Sequence, residues 1–204
     1  AVTFNPQFTI PYDPLMPPLS SDLDALVRGQ HADPFRLLGP HVGEGGVVVR
    51  TLRPGAAAVE LELRHPRPLR LAMRRLHVDG LFEAVLDEVR SLEAGIDYRL
   101  HVDFGAGLRV ELDDAYRFGR VITDFDLHLF GEGRLLQVQD RLGAHPITLG
   151  EVAGTHFAVW APNAQRVSVI GDFNGWDGRV HPMRQLVPSG VWELFVPGVG
   201  EGAL

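Results

Sequence analysis

Apolar and polar positions alternate with a period of two through much of this chain. Val59, Leu61 and Leu63 are interleaved with Glu60, Glu62 and Arg64, and Leu69, Leu71 and Met73 with Arg70, Ala72 and Arg74. That period predicts strands with one buried face. A hairpin is predicted with Tyr98, Leu100, Val102 and Phe104 on one face, a turn at Gly105-Ala106-Gly107, and Leu108, Val110 and Leu112 returning, so that Arg99, His101, Asp103, Arg109 and Glu111 point to water. Alternation breaks between about 113 and 140. It resumes in His156-Phe157-Ala158-Val159-Trp160 and in Val167-Ser168-Val169-Ile170, punctuated by Pro162-Asn163 and by Gly171, Gly175 and Gly178.

Two short helices stand out from the strands. Ser21 to Gly29 carries a capping serine at Ser21, acids in its first turn and a terminal glycine. Thr123 to Gly131 repeats that grammar and is expected to pack Phe125, Leu129 and Phe130 as a helical connector. The first 19 residues hold five prolines without a clear period and read as an irregular arm.

The chain also repeats itself. Leu38-Gly39-Pro40-His41 recurs as Leu142-Gly143-Ala144-His145, Pro54 before Val59-Glu60-Leu61 as Pro162 before Val167-Ser168-Val169, and Gly80-Leu81-Phe82-Glu83 as Gly190-Val191-Trp192-Glu193. The offsets of 104, 108 and 110 residues keep their order and drift slowly, as loop insertions would make them. The expected fold is therefore all-β: two tandem immunoglobulin-like β-sandwiches joined by a short helical connector, the second one incomplete. Arm and first helix occupy 1–30, the first sandwich 31–113, the connector 114–141 and the second sandwich 142–204. The second copy reaches the point that precedes Tyr98 in the first and has no counterpart of the hairpin, so the natural polypeptide is expected to continue past Leu204.

Phe157-Ala158-Val159-Trp160-Ala161-Pro162-Asn163-Ala164, followed by Val167-Ser168-Val169-Ile170-Gly171-Asp172-Phe173-Asn174-Gly175-Trp176-Asp177, resembles the starch- and glycogen-binding module that precedes the catalytic barrel in α-amylase-superfamily enzymes acting at α-1,6 branch points. Gly178-Arg179-Val180-His181-Pro182-Met183-Arg184 resembles bacterial glycogen branching enzymes in particular. So do His31-Ala32-Asp33-Pro34-Phe35 with Leu38-Gly39-Pro40-His41, similar to the extra N-terminal sandwich of long branching enzymes, and Asp114-Ala115-Tyr116-Arg117-Phe118 with Leu129-Phe130-Gly131-Glu132-Gly133, similar to the connector between the two. The resemblance covers about Leu23 to Leu204. It implies a parent that cleaves an α-1,4-glucan chain through a covalent glucosyl-enzyme and transfers it to a 6-hydroxyl, with no cofactor; the cytoplasm is the expected compartment because no secretory signal is legible and cysteine is absent. Partners implied are an α-1,4-glucan such as glycogen and the parent's own catalytic barrel.

Composition narrows the alternatives. A net charge of −7 disfavours nucleic acid and anionic membranes, which are bound through cationic surfaces. No apolar run approaches the roughly 18 residues of a membrane span. Absence of cysteine removes disulfides and thiolate metal sites. No catalytic residue is expected, because the superfamily's carboxylate pair sits on a barrel of alternating strands and helices, and no such alternation occurs.

Trp176, with Asn174 and Asp177, is the candidate glucan contact: sugar C–H faces stack on an indole while hydroxyls seek amide and carboxylate partners. Phe173 and Trp176 have a second reading as turn anchors, and Trp176 a third as packing on the barrel. Trp160, Phe173 and Trp192 are taken as core or domain-interface aromatics. His31, Asp33 and His41 are read as loop-structuring rather than metal ligands, there being no third ligand at matching spacing. Arg64, Arg67, Arg70, Arg74 and Arg75 are read as a solvated strand face. Rival identities are a debranching or trehalose-forming glycosidase, for which the upstream copy is not expected, a non-catalytic glucan-sensing module, and a tandem-sandwich adhesin.

Overall fold

The computed structural model describes residues 20–93 and 95–204; the arm expected over 1–19 lies outside the described residues. Eight strands build the first unit: β1 (Gly39–Gly43), β2 (Gly46–Leu52), β3 (Ala58–His65), β4 (Leu69–Ala72), β5 (Arg74–His77), β6 (Leu81–Leu86), β7 (Asp97–Asp103) and β8 (Arg109–Asp113). They form two antiparallel sheets, ordered β1-β2-β6-β5 and β4-β3-β7-β8. Between them Val47, Val49, Phe82, Ala84 and Leu86 of one sheet meet Val59, Leu61, Leu63, Tyr98, Leu100 and Val102 of the other. The period-two pattern thus marks a sandwich core.

Two expectations need local correction. The run from Leu69 to Arg74 is not one strand but two, because the chain crosses between sheets at buried Met73, whose N–H bonds to the Val59 carbonyl at 2.8 Å. The hairpin forms with Val102 opposite Val110 and Leu100 opposite Leu112. Yet Phe104, Leu108 and Val110 are exposed, since β8 is an edge strand and only Leu112, nearer its base, packs on the core. The five arginines are each held by neighbours: Arg64 by Asp97, Arg67 by Glu88, Arg70 by Glu62, Arg74 by Glu83, and Arg75 by backbone carbonyls at 56 and 57.

The second unit has one sheet, from β9 (Gly143–Leu149), β10 (Val152–Trp160), β11 (Arg184–Leu186) and β12 (Val191–Pro197), ordered β9-β10-β12-β11. Position for position this is the order β1-β2-β6-β5, and the local details repeat too. His41 Nε2 bonds to the Leu38 carbonyl at 2.9 Å and His145 Nε2 to the Leu142 carbonyl at 3.0 Å. Gly80 and Gly190 both have positive φ, and their carbonyls accept from the N–H groups of Arg53 and Ala161, the residues before Pro54 and Pro162. The Arg74–Glu83 pair recurs as Arg184–Glu193.

Val167-Ser168-Val169-Ile170 does not become a strand. It makes a single bridge, Ser168 to Pro182. Its first-copy counterpart, β3, is held by pairing with β4 and β7, and a match to β7 does not occur within 142–204.

Strand β12 is buried on both faces, and this explains why the two units are one body. Trp192, Leu194 and Val196 join Leu38, Leu52 and Leu81 of the first unit, Leu26 and Val27 of α1 (Ser21–Val27), and Tyr116 in one continuous cluster. On the opposite face Val191 packs with Ile122 and Phe195 with Phe118, both from the connector. Connector helix α2 (Asp124–Gly131) is closed by a capping box between Thr123 and Asp126. Leu127 and Phe130 pack beneath it, while Phe125 points to solvent, so the expectation for Phe125 was wrong by helical phase.

Two buried carboxylates tie these layers. Asp114, wholly buried, accepts from Tyr98 Oη at 2.7 Å and pairs with Arg53 at 3.5 Å, and the adjoining Tyr116 hydroxyl reaches the carbonyls of Val180 and Pro182. Glu193 accepts from the N–H groups of Val121 and Ile122. No described helix is long and apolar enough to cross a membrane.

The cap of α1 is Ser20, not Ser21: the Ser20 hydroxyl accepts from Leu23 N at 3.4 Å, and Ser21 is already helical. Replacing Ser20 by alanine is expected to cost about 0.5–1 kcal/mol, against almost nothing at Ser21. Equal losses in paired urea titrations would contradict the assignment.

Candidate glucan-binding loop

Residues 171–177 join the bridge at Ser168 to the Arg179 turn, and their geometry is set by hydrogen bonding within the loop. Asn174 Oδ1 accepts from Gly171 N at 3.0 Å, while its Nδ2 donates to the Val169 carbonyl at 2.9 Å and to His181 Nδ1 at 3.0 Å. Burial, with Arg53 adding to it, pushes the His181 pKa down to about 3, so the ring is neutral near pH 7 and its Nδ1 is free to accept. Both Asn174 donors are therefore committed to the loop, and Asn174 shapes the site rather than offering its amide to a ligand.

Gly175 and Trp176 follow in the left-handed region, each at φ 61°. A bulky residue there costs roughly 1 kcal/mol or more, and such strain tends to persist where function requires it. The consequence is visible: Trp176 is 58% exposed, and its Nε1 donates to Asp172 Oδ1 at 2.8 Å. The ring edge is tethered, and a ring face is left to solvent. Asp177 does not stand free beside it. Its carboxylate is gripped by Arg179, with Nη2 to Oδ2 at 2.7 Å and Nε to Oδ1 at 3.0 Å, and that bonding holds its pKa below the usual carboxylate range. Asp172 is the one partner of Trp176 that the motif reading did not single out, although its spacing of four from Trp176 is legible in the chain.

The remaining aromatics divide. Trp192 is core, 1% exposed, with Nε1 bonded to the Ala161 carbonyl at 3.0 Å. Phe173 lies partly exposed against His181, their ring centroids 5.8 Å apart, and lines a hollow of about 550 Å³ with Phe157, Val169 and Ile170. Trp160 is not a core residue. It is 55% exposed, in a T-shaped contact with Phe130 with centroids 6.0 Å apart, its Nε1 donating to the Ser189 carbonyl at 3.1 Å. Of its two readings, core or domain interface, only the first is removed; Trp160 is the last residue of β10, next to Val159, which is itself exposed.

His31, Asp33 and His41 stay local: His31 Nδ1 accepts from Asp33 N, and His41 holds the Leu38 carbonyl. Among the described residues no three His, Asp or Glu side chains converge as metal ligands would.

Residues 19–116 match the family model described as the N-terminal domain of α-1,4-glucan branching enzyme GlgB, and residues 141–204 match carbohydrate-binding module 48, the isoamylase N-terminal domain. The 1,4-α-glucan branching enzyme GlgB of Rubrobacter xylanophilus is 52% identical over 180 residues, covering 88% of this chain and 24% of that protein. Its namesake in Rhodospirillum rubrum is 50% identical over 190 residues, covering 91% and 25%, and that of Pseudomonas putida 47% over 182 residues, covering 89% and 24%. The chain spans about a quarter of the length of these curated relatives, and the matched portion consists of the two N-terminal β modules. A GlgB N-terminal sandwich and a module-48 sheet sharing one core, in that order, place this chain in the GlgB branching-enzyme family as its N-terminal region.

Proposed function

We propose that this chain holds α-1,4-glucan, as in glycogen, for a branching reaction carried out on a catalytic barrel elsewhere in the parent polypeptide, in the cytoplasm. The parent reaction is cleavage of an α-1,4 chain through a covalent glucosyl-enzyme and transfer to a 6-hydroxyl. These residues contribute binding and docking, and none of them a catalytic group. The observation that carries this reading is the Trp176 platform: an indole pinned at its edge by Asp172 and held outward by a left-handed backbone, presenting a face suited to a sugar's C–H surface. The upstream sandwich favours a branching parent over a debranching one, because it matches the domain named for branching enzymes.

Affinity electrophoresis through gels containing glycogen tests the platform. Trp176→Ala is expected to weaken retardation about tenfold, equivalent to roughly 1.4 kcal/mol. Asp172→Ala, which frees the ring without removing it, should lose less. Retardation of Trp176→Ala equal to that of the unsubstituted chain would end the assignment.

A further inference from the structure

Trp176 is not the only tethered, outward-facing indole. Trp160 forms part of a groove of about 730 Å³ between α2 and the turn that joins β11 to β12. One wall is helical, with Leu127 and Phe130 below and Asp124 and His128 above; the other is Val187-Pro188-Ser189. The Trp160 N–H is consumed by the Ser189 carbonyl and its ring makes a T-shaped contact with Phe130, so its orientation is set from two sides while about half of its surface stays open.

The lining is mixed in a way that selects an occupant. An apolar polypeptide segment would have to desolvate Asp124, which is largely exposed and paired with Arg120 at 2.8 Å, and His128, paired with Glu132 at 3.3 Å. An anion would meet the Asp124 carboxylate. A neutral polyol avoids both costs: its C–H face covers the indole, and its hydroxyls donate to the carboxylate and exchange hydrogen bonds with the imidazole at the rim. We infer that this groove is a second α-glucan subsite, with Trp160 as its platform and Asp124 and His128 as its hydroxyl partners. The inference rests on the reading that this chain holds glucan and extends it to the seam where the second sheet meets the connector helix, whose residues lie between the two matched modules.

The three tryptophans make the test direct. Labelling the chain with 5-fluorotryptophan gives one fluorine resonance each for Trp160, Trp176 and Trp192, assigned by single tryptophan-to-phenylalanine substitutions. On titration with maltoheptaose, the Trp160 and Trp176 resonances are expected to shift and saturate, while buried Trp192 stays in place and reports an intact fold. Cellohexaose at the same concentrations should move neither. Asp124→Ala, which leaves the indole in place, is expected to weaken the Trp160 response several-fold without altering that of Trp176. A Trp160 resonance that does not move while that of Trp176 does overturns this subsite alone. If neither moves, the Trp176 reading falls with it.

Discussion

Replacing Glu193 by glutamine is expected to destabilise the protein by about 3 kcal/mol, a fall in melting midpoint of roughly 6–12 °C for a chain of this size. Glu193 is fully buried in the middle of β12, and every group around it is a donor. Oε2 accepts from Ile122 N at 2.9 Å, Val121 N at 3.2 Å and His156 Nε2 at 3.1 Å, and Oε1 lies 3.2 Å from Arg184 Nε. A glutamine amide cannot serve both sides. Whichever way it turns, its NH₂ faces either the two backbone N–H groups or the arginine, and a buried guanidinium loses its counter-charge.

The pH dependence carries a sign that can be checked. Burial alone would raise the Glu193 pKa, but the bonds from His156 and Ile122 and the charge of Arg184 outweigh it and hold the value below the ordinary glutamate 4.5. A carboxylate with a lowered folded-state pKa contributes stability that is complete above the unfolded value and is lost as pH falls through the folded one. The gap between the unsubstituted protein and Glu193→Gln should therefore be widest above about pH 4.5 and narrow in acid. Hydrogen exchange at Val121 and Ile122 should accelerate in the variant, because these amides lose their acceptor. A gap that stays constant from neutral pH into acid, or unchanged exchange at those two amides, would contradict this role.

Glu193 also shows where sequence reasoning reached its limit. Alternation identifies a strand with one wet face, but β12 reads Val191-Trp192-Glu193-Leu194-Phe195-Val196, apolar on both faces except for one acid. The repeat aligned this acid with Glu83, which is only partly buried, so the connector that closes over the second sheet's far face was not visible from the first copy. Alternation also reports burial and not pairing. Val167-Ser168-Val169-Ile170 has the right pattern, yet a strand needs neighbours, and the ones that hold β3 are not matched within 142–204.

What sequence did convey well was anything enforced locally: the helices, the sandwich strands of the first unit, the hairpin turn and the repeat. The indoles were harder. Trp176 was singled out for its neighbours Asn174 and Asp177, but those side chains are spent on the loop and on Arg179. Its orientation depends on Asp172 and on a left-handed φ, and only the spacing to Asp172 was readable. For Trp160 the choice between core and domain interface was left open, because its exposure and its contact with Phe130 of α2 are tertiary facts with no local signature.

The repeat makes a second prediction of comparable size. Gly80→Ala and Gly190→Ala should each cost about 2–5 kcal/mol, whereas Gly55→Ala and Gly150→Ala should cost only about 1–2 kcal/mol, although all four glycines have positive φ. Left-handed backbone alone accounts for the smaller figure. At Gly190 an added Cβ would also lie 2.7 Å from both Cα and Cβ of Pro162, and at Gly80 it would run into the Arg53 carbonyl and approach Pro54 Cα to 3.0 Å, whereas Gly55 and Gly150 have nothing within 4 Å. None of these close neighbours is the end of a flexible side chain, so the strands must part. Parting them strains the bonds from Arg53 N to the Gly80 carbonyl at 2.7 Å and from Ala161 N to the Gly190 carbonyl at 2.9 Å. The Gly–Pro contact is thus the same device in both copies, pinning the turn before β6 and the turn before β12 against the strand that each pairs with. Urea titrations of the four variants decide it. Four equal losses would mean that φ strain is the whole effect, and a large loss at only one of Gly80 and Gly190 would mean that the repeat does not preserve the device.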